Sequence, residues 1–96
     1  MPGTGVITSV NDAASSTTLL EANPMRKMAL IYNDSTEILY LALSDTTAST
    51  SNFSVRVAAA GFYELPTTKD GQTYSGKIVG IWANNSTGAA RITEIL

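Results

Sequence analysis

General acid–base chemistry in this sequence would have to start from eight carboxylates, Asp12, Glu21, Asp34, Glu37, Asp45, Glu64, Asp70 and Glu94, because there is no histidine and no cysteine. Without those two residue types a Ser-His-Asp triad, a Cys-His pair and the usual zinc ligand sets cannot be assembled. Two carboxylates could still meet as the acid and base of a glycoside hydrolase. Most of them fall at strand ends or in turns, however, where a solvated acid is the simpler account. Asp34 in "YNDSTE" and Asp70 in "TKDGQT" raise the question of calcium, since a hard cation draws several oxygens from one loop. Neither stretch supplies closely spaced acids, and a turn that hydrogen-bonds its own backbone explains both aspartates. Gly3-Thr4-Gly5 lacks the strand before it and the helix after it that a phosphate-binding loop requires. The expectation is a protein that is not an enzyme and needs no cofactor or metal.

Charge points away from nucleic acid. The formal net charge is −2 with a pI near 4.8, and Arg26, Lys27, Arg56, Lys69, Lys77 and Arg91 are scattered apart from one adjacent pair. Phosphate-backbone binding is not expected from such a distribution. No apolar run approaches the ~20 residues of a membrane-spanning helix, and "MPGTGVITSV" lacks the basic start and apolar centre of a signal peptide. Membrane contact is therefore not expected either. Only 15% of residues are charged, against ~25% in an ordinary soluble domain, which suggests a surface engaged with something other than water.

The elements that position these residues read as all-β. Short β-branched and aromatic runs alternate with Gly, Asn, Asp, Ser and Thr clusters, and no segment holds a helical period. About eight short antiparallel strands are expected, at 5–10, 17–21, 26–32, 37–43, 53–58, 62–65, 77–83 and 89–95. They form one small β-sandwich, jelly-roll or Greek-key like. Residues 1–10 read as a flexible N-terminal arm leading into the first strand, and 11–96 as the single sandwich domain. Asn33-Asp34-Ser35, Gly61 and Asp70-Gly71 are turn chemistry. Residues 11–18 and 44–52, nearly all small and polar, read as surface loops. Phe53 alternates with Val55 and Val57, which predicts a core position.

Two strands carry apolar residues on both faces. In "IYNDSTEILYLAL" a hairpin with Asp34-Ser35 at its tip would set Ile31 opposite Ile38 and Leu30 opposite Leu39. One face would then hold Met28, Leu30, Tyr32, Leu39, Leu41 and Leu43 as core. The other would present Lys27, Ala29, Ile31, Ile38, Tyr40 and Ala42 outward. In "KIVGIWANN" bulk again lies on both sides of Gly80, a position that suggests a bulge or the close approach of another backbone. Lys27, Ile31, Ile38, Tyr40, Val79 and Trp82 are thus the interface residues the sequence nominates.

Three stretches also carry a resemblance. "LLEANPMRKMALIYNDSTEILYLAL", "NFSVRVAAAGFYELP" and "GKIVGIWANNSTGAARITEIL" resemble a family of small virion proteins and virion-protein domains of tailed bacteriophages. Leu19-Leu20, Ala22-Asn23, Arg26-Lys27, Ile31 to Ser35, Gly61 to Pro66 and Gly80 to Ala83 fill the family's segments, which are turns and strands rather than catalytic residues. The resemblance implies a structural component, and the free-standing size implies a capsid decoration or cement protein binding the shell in many copies. Its partners would be the major capsid protein or another virion protein, with a trimer or dimer of itself. Its location would be the virion's capsid surface after synthesis in the bacterial cytoplasm. The alternative is a carbohydrate-binding or adhesion module of a tail or head fibre.

Overall fold

The computed structural model describes residues 3–67 and 70–96. They form eight strands: β1 (Gly5–Asn11), β2 (Thr17–Leu20), β3 (Met28–Asp34), β4 (Leu39–Ala42), β5 (Val55–Val57), β6 (Phe62–Glu64), β7 (Ile78–Trp82) and β8 (Ala89–Ile95). Two four-stranded antiparallel sheets result, one ordered β1-β8-β3-β6 and the other β2-β7-β4-β5. The strands are those the sequence predicts, trimmed or shifted by up to two residues at most ends.

This order is that of a jelly roll. The pairings β4·β5, β2·β7, β3·β6 and β1·β8 are those of one long hairpin, and rolling it up adds β3·β8 and β4·β7. A two-layer roll buries one face of each sheet and leaves β1, β6, β2 and β5 as edge strands. Between the layers lie Ile31 and Ile92 from the first sheet and Leu39, Leu41, Ile78 and Trp82 from the second, all completely buried. Each such side chain contributes roughly 1.5–3 kcal/mol by leaving water.

The roll overturns the predicted hairpin. β3 and β4 lie in different sheets, so the Asn33–Ile38 segment arches from one layer to the other. A hairpin locks the facing of its two strands through register, whereas an arch lets each strand turn its own apolar face inward. In β3 that face is Ala29, Ile31 and Asn33, while Met28, Leu30 and Tyr32 point away from the core. In β4 Leu39 and Leu41 face inward as expected, with Tyr40 outward.

Asn33 makes the arch possible. Its fully buried side chain donates from Nδ2 to the carbonyls of Glu37 (2.8 Å), Val57 (3.0 Å) and Ala58 (3.2 Å), and its Oδ1 accepts the Trp82 indole N–H at 3.0 Å. One amide thereby satisfies the carbonyls freed where the chain leaves the ladder and ties the two sheets together. Arg26 does similar work at the opposite end. Its Nε pairs with Glu94 at 2.8 Å, Nη1 donates to the carbonyls of Tyr74 and Gly76, and Nη2 donates to that of Glu21.

Other expectations are corrected by local geometry. Phe53 is 38% exposed, because the three-residue β5 begins two positions later and alternation has no hold before it. At Gly80 the nearest atoms to a Cβ are the side chains of Leu19 and Leu39 rather than a backbone, while the register irregularity lies beside it in β2, between Thr18 and Leu20. The positive φ of the turn before β6 belongs to Ala60 (62°) rather than Gly61, while Gly71 (77°) takes one as its turn requires. Thr4 exchanges two backbone hydrogen bonds with Leu96, so from that residue onward the expected arm is part of the ladder. Met1 and Pro2 lie outside the described residues.

Candidate interaction surface

The six nominated residues do not converge on one surface. Ile31 and Trp82 are core residues with no exposure, Ile31 because β3 is turned over and Trp82 because it shares its face with Ile78. Val79 does point outward from the second sheet, yet it is only 5% exposed. Its cover is the chain's own loop: Ala48 seats against Ala42 and Val79, with Ile81 beside them. The Ala48 N–H donates to Ser16 Oγ at 3.0 Å, which fixes the loop in place. Phe53 meets Tyr40 edge-on, with ring centroids 4.9 Å apart and planes at 60°. Tyr40 is half-buried by this contact, Ile38 is half-buried as well, and Lys27 alone of the six is exposed. The apolar outer side of β4 and β7 is therefore largely covered from within the molecule.

Among the described residues the outer face of the first sheet has no such cover. Register places its outward residues in rows across the strands: Gly5, Ile95 and Met28; then Ile7, Thr93, Leu30 and Glu64; then Ser9, Arg91, Tyr32 and Phe62. Ile7 is 79% exposed, Phe62 64% and Tyr32 36%; Met28, Leu30, Thr93 and Ile95 are half-buried by their neighbours. Four strands about 4.8 Å apart make a face roughly 15 Å wide. Its charges are few: Arg91, on the inner strand β8 beside Tyr32, pairs with Asp34 at 3.0 Å and also donates to Ser9 Oγ, and Glu64 lies on the edge strand. An exposed sheet face that sets Ile7, Leu30, Tyr32 and Phe62 among a few polar groups is a usual form of a protein-binding surface.

The sequence missed this face because Met28, Leu30 and Tyr32 look like the core half of β3. The usable signal was in β8, "AARITEI", where Arg91 and Thr93 mark the outward side and register carries that assignment across to β3.

Three clefts among the described residues add to the surface. One of about 580 Å³ is lined by Glu21, Ala22, Ser44, Asp45, Tyr74, Gly76 and Lys77. Burial pushes the Tyr74 phenol above its ordinary pKa and the charge of Asp45 adds to this, while Arg26 opposes both. The Tyr74 hydroxyl donates to the Lys77 carbonyl at 2.6 Å, so its proton is already committed to the backbone. The other two, of about 310 and 340 Å³, lie beside Asp34 and Arg91 and beside Pro24 and Arg26. Among the described residues no group of three His, Cys, Asp or Glu side chains could hold a metal ion. Comparison of the chain with protein-family models, curated proteins and solved structures found no match.

Proposed function

We propose that this chain is a non-enzymatic structural protein of a tailed-bacteriophage virion, a decoration or cement protein that binds the outer shell in many copies. The carrying observation is the uncovered apolar face built by Ile7, Leu30, Tyr32 and Phe62, beside an opposite face that the molecule covers for itself. A cement protein needs a rigid scaffold and a complementary surface rather than a reaction centre. The jelly roll supplies the scaffold, and the family resemblance of the arch, Arg26-Lys27 and "GIWA" segments supports the virion setting. Jelly rolls serve in both capsid and lectin domains, so the fold alone does not choose between them.

The test is binding to undecorated heads followed by particle reconstruction. Bound copies at a number set by capsid symmetry, seated on the outer face of β1-β8-β3-β6, are expected. Phe62→Lys should abolish binding while leaving the thermal midpoint unchanged. Absence of the protein from purified virions would refute the role.

A second reading has one observation in its favour. Tyr32 and Phe62 are direct cross-strand neighbours, both exposed, with Arg91 on the other side of Tyr32. Adjacent exposed rings can stack on a sugar, and a glycan array that responds to Phe62→Ala would establish a carbohydrate-binding module instead.

A further inference from the structure

The free edge of β1 is built differently from the other sheet edges. β5 and β6 are three residues long and carry Arg56 and Glu64, and β2 is four residues long with an irregular register. Short, charged or irregular edges resist pairing with another chain. β1 has seven residues, "GVITSVN", with no charge and no proline, and only Val10 is less than exposed. No described strand pairs with its outer edge.

Hydrogen-bond parity shows what that edge offers. Thr4 and Leu96 exchange both backbone bonds, and the Asp12 N–H donates to the Gly88 carbonyl. The register between these points runs without a break from Gly5↔Ile95 to Asn11↔Ala89. Alternation of bonded and non-bonded pairs then turns Val6, Thr8 and Val10 toward β8. The N–H and C=O groups of Gly5, Ile7, Ser9 and Asn11 point away from the sheet.

We infer that β1 is a self-pairing edge, and that its partner is β1 of a second copy, antiparallel about a two-fold axis through Thr8. In that register Gly5 meets Asn11 and Ile7 meets Ser9, so every outward group is used, in roughly eight hydrogen bonds. Val6 meets Val10, Thr8 meets Thr8, and no charge meets a like charge. A foreign peptide added to an edge is usually read by side-chain pockets beside it; the three clefts described above touch no β1 residue. A strand of small, uncharged side chains that matches its own reverse is what fits. The two first sheets would join into one, and their outer faces would become continuous.

Edge pairing alone covers less than the ~1,200 Å² of a stable interface, so a weak dimer is expected, with Kd on the order of 10–100 µM. Sedimentation of the purified protein from about 1 µM to 1 mM should show it. Amide exchange at high concentration should protect Ile7, Ser9 and Asn11, while Val6, Thr8 and Val10 are protected at every concentration. Ser9→Pro removes an outward N–H without touching the β8 ladder, and should raise Kd about a hundredfold or more. Phe62→Lys should leave the dimer intact, which separates this pairing from the shell-binding face. A monomer throughout, or a dimer that survives Ser9→Pro, would overturn the inference. Should Ser9→Pro fail to fold, the alternating exchange pattern of the unaltered chain decides alone.

Discussion

Replacing Asn33 with aspartate changes one atom of a buried hub and isolates what that amide contributes. The Oδ1 contact with the Trp82 indole N–H can survive. The nitrogen cannot be replaced by a carboxylate oxygen, which would face the carbonyl oxygens of Glu37, Val57 and Ala58 at 2.8–3.2 Å. With the introduced carboxyl protonated, one O–H still donates, and the loss is one shared bond, about 1–2 kcal/mol. Burial among carbonyls raises its folded pKa, so above the unfolded value of ~4 the folded state retains a proton that the unfolded state has released. Stability is then fullest below pH ~4 and falls by about 1.4 kcal/mol per unit as pH rises toward the folded pKa. At pH 7 the total cost reaches roughly 4–6 kcal/mol, against ~5–14 kcal/mol for a whole domain of this size. Urea unfolding followed by the single tryptophan, Trp82, reads this directly from pH 4 to 8, with Asn33→Leu as a control whose penalty has no such slope. An Asn33→Asp penalty independent of pH would show that the side chain is not enclosed by carbonyls, and the account of the arch would fail with it.

Arg26→Ala should cost about 3–5 kcal/mol in urea unfolding, because it strands Glu94 and three backbone carbonyls; Arg26→Lys should recover little, since an ammonium cannot reproduce the fork. Gly88→Ala should lower stability by about 1–3 kcal/mol or more, because a Cβ there would run into the Asp34 carbonyl and Ser35 where the β7–β8 turn crosses the arch. Alkaline unfolding should report Tyr74. Its raised folded pKa means a contribution present below the unfolded value near 10 and lost as pH rises beyond it. Tyr74→Phe should remove that part of the pH dependence.

Strand positions were legible because each is a short run of β-branched or aromatic residues between turn formers, and β8 was placed to the residue. Facing was legible where one side is plainly polar, as in β8, and illegible where both sides are apolar. In β3, Ala29 and Ile31 against Leu30 and Tyr32 offers no contrast, and bulk alone favours the wrong set as core. The deciding residue was Asn33, which reads as turn chemistry yet lies inside with Ile31. A polar side chain on the inward row looks wrong until the three carbonyls that need it are known, and two of those, from Val57 and Ala58 at the end of β5, are distant in sequence. Phe53 misled for the opposite reason, since alternation was extended past the end of a strand only three residues long.

Why one outer face is covered and the other bare follows from where the chain spends its loops. The β4–β5 connection spans 43–54, far more than the two to five residues a hairpin needs. Its small side chains let Ala48 settle on Val79 and Ala42. The β3–β4 arch spans only 35–38 and the β7–β8 turn 83–88, and both are occupied in bridging the layers. The longer β6–β7 connection is held at one end of the roll by Arg26, through the carbonyls of Tyr74 and Gly76. Among the described residues no segment of comparable length is left to lie over Ile7, Leu30 and Phe62. Shortening the 44–52 loop should therefore expose Val79 and Ile81 and create a second sticky face, seen as increased binding of a hydrophobic dye by the folded protein. If dye binding did not rise, the loop would not be what keeps the second sheet covered.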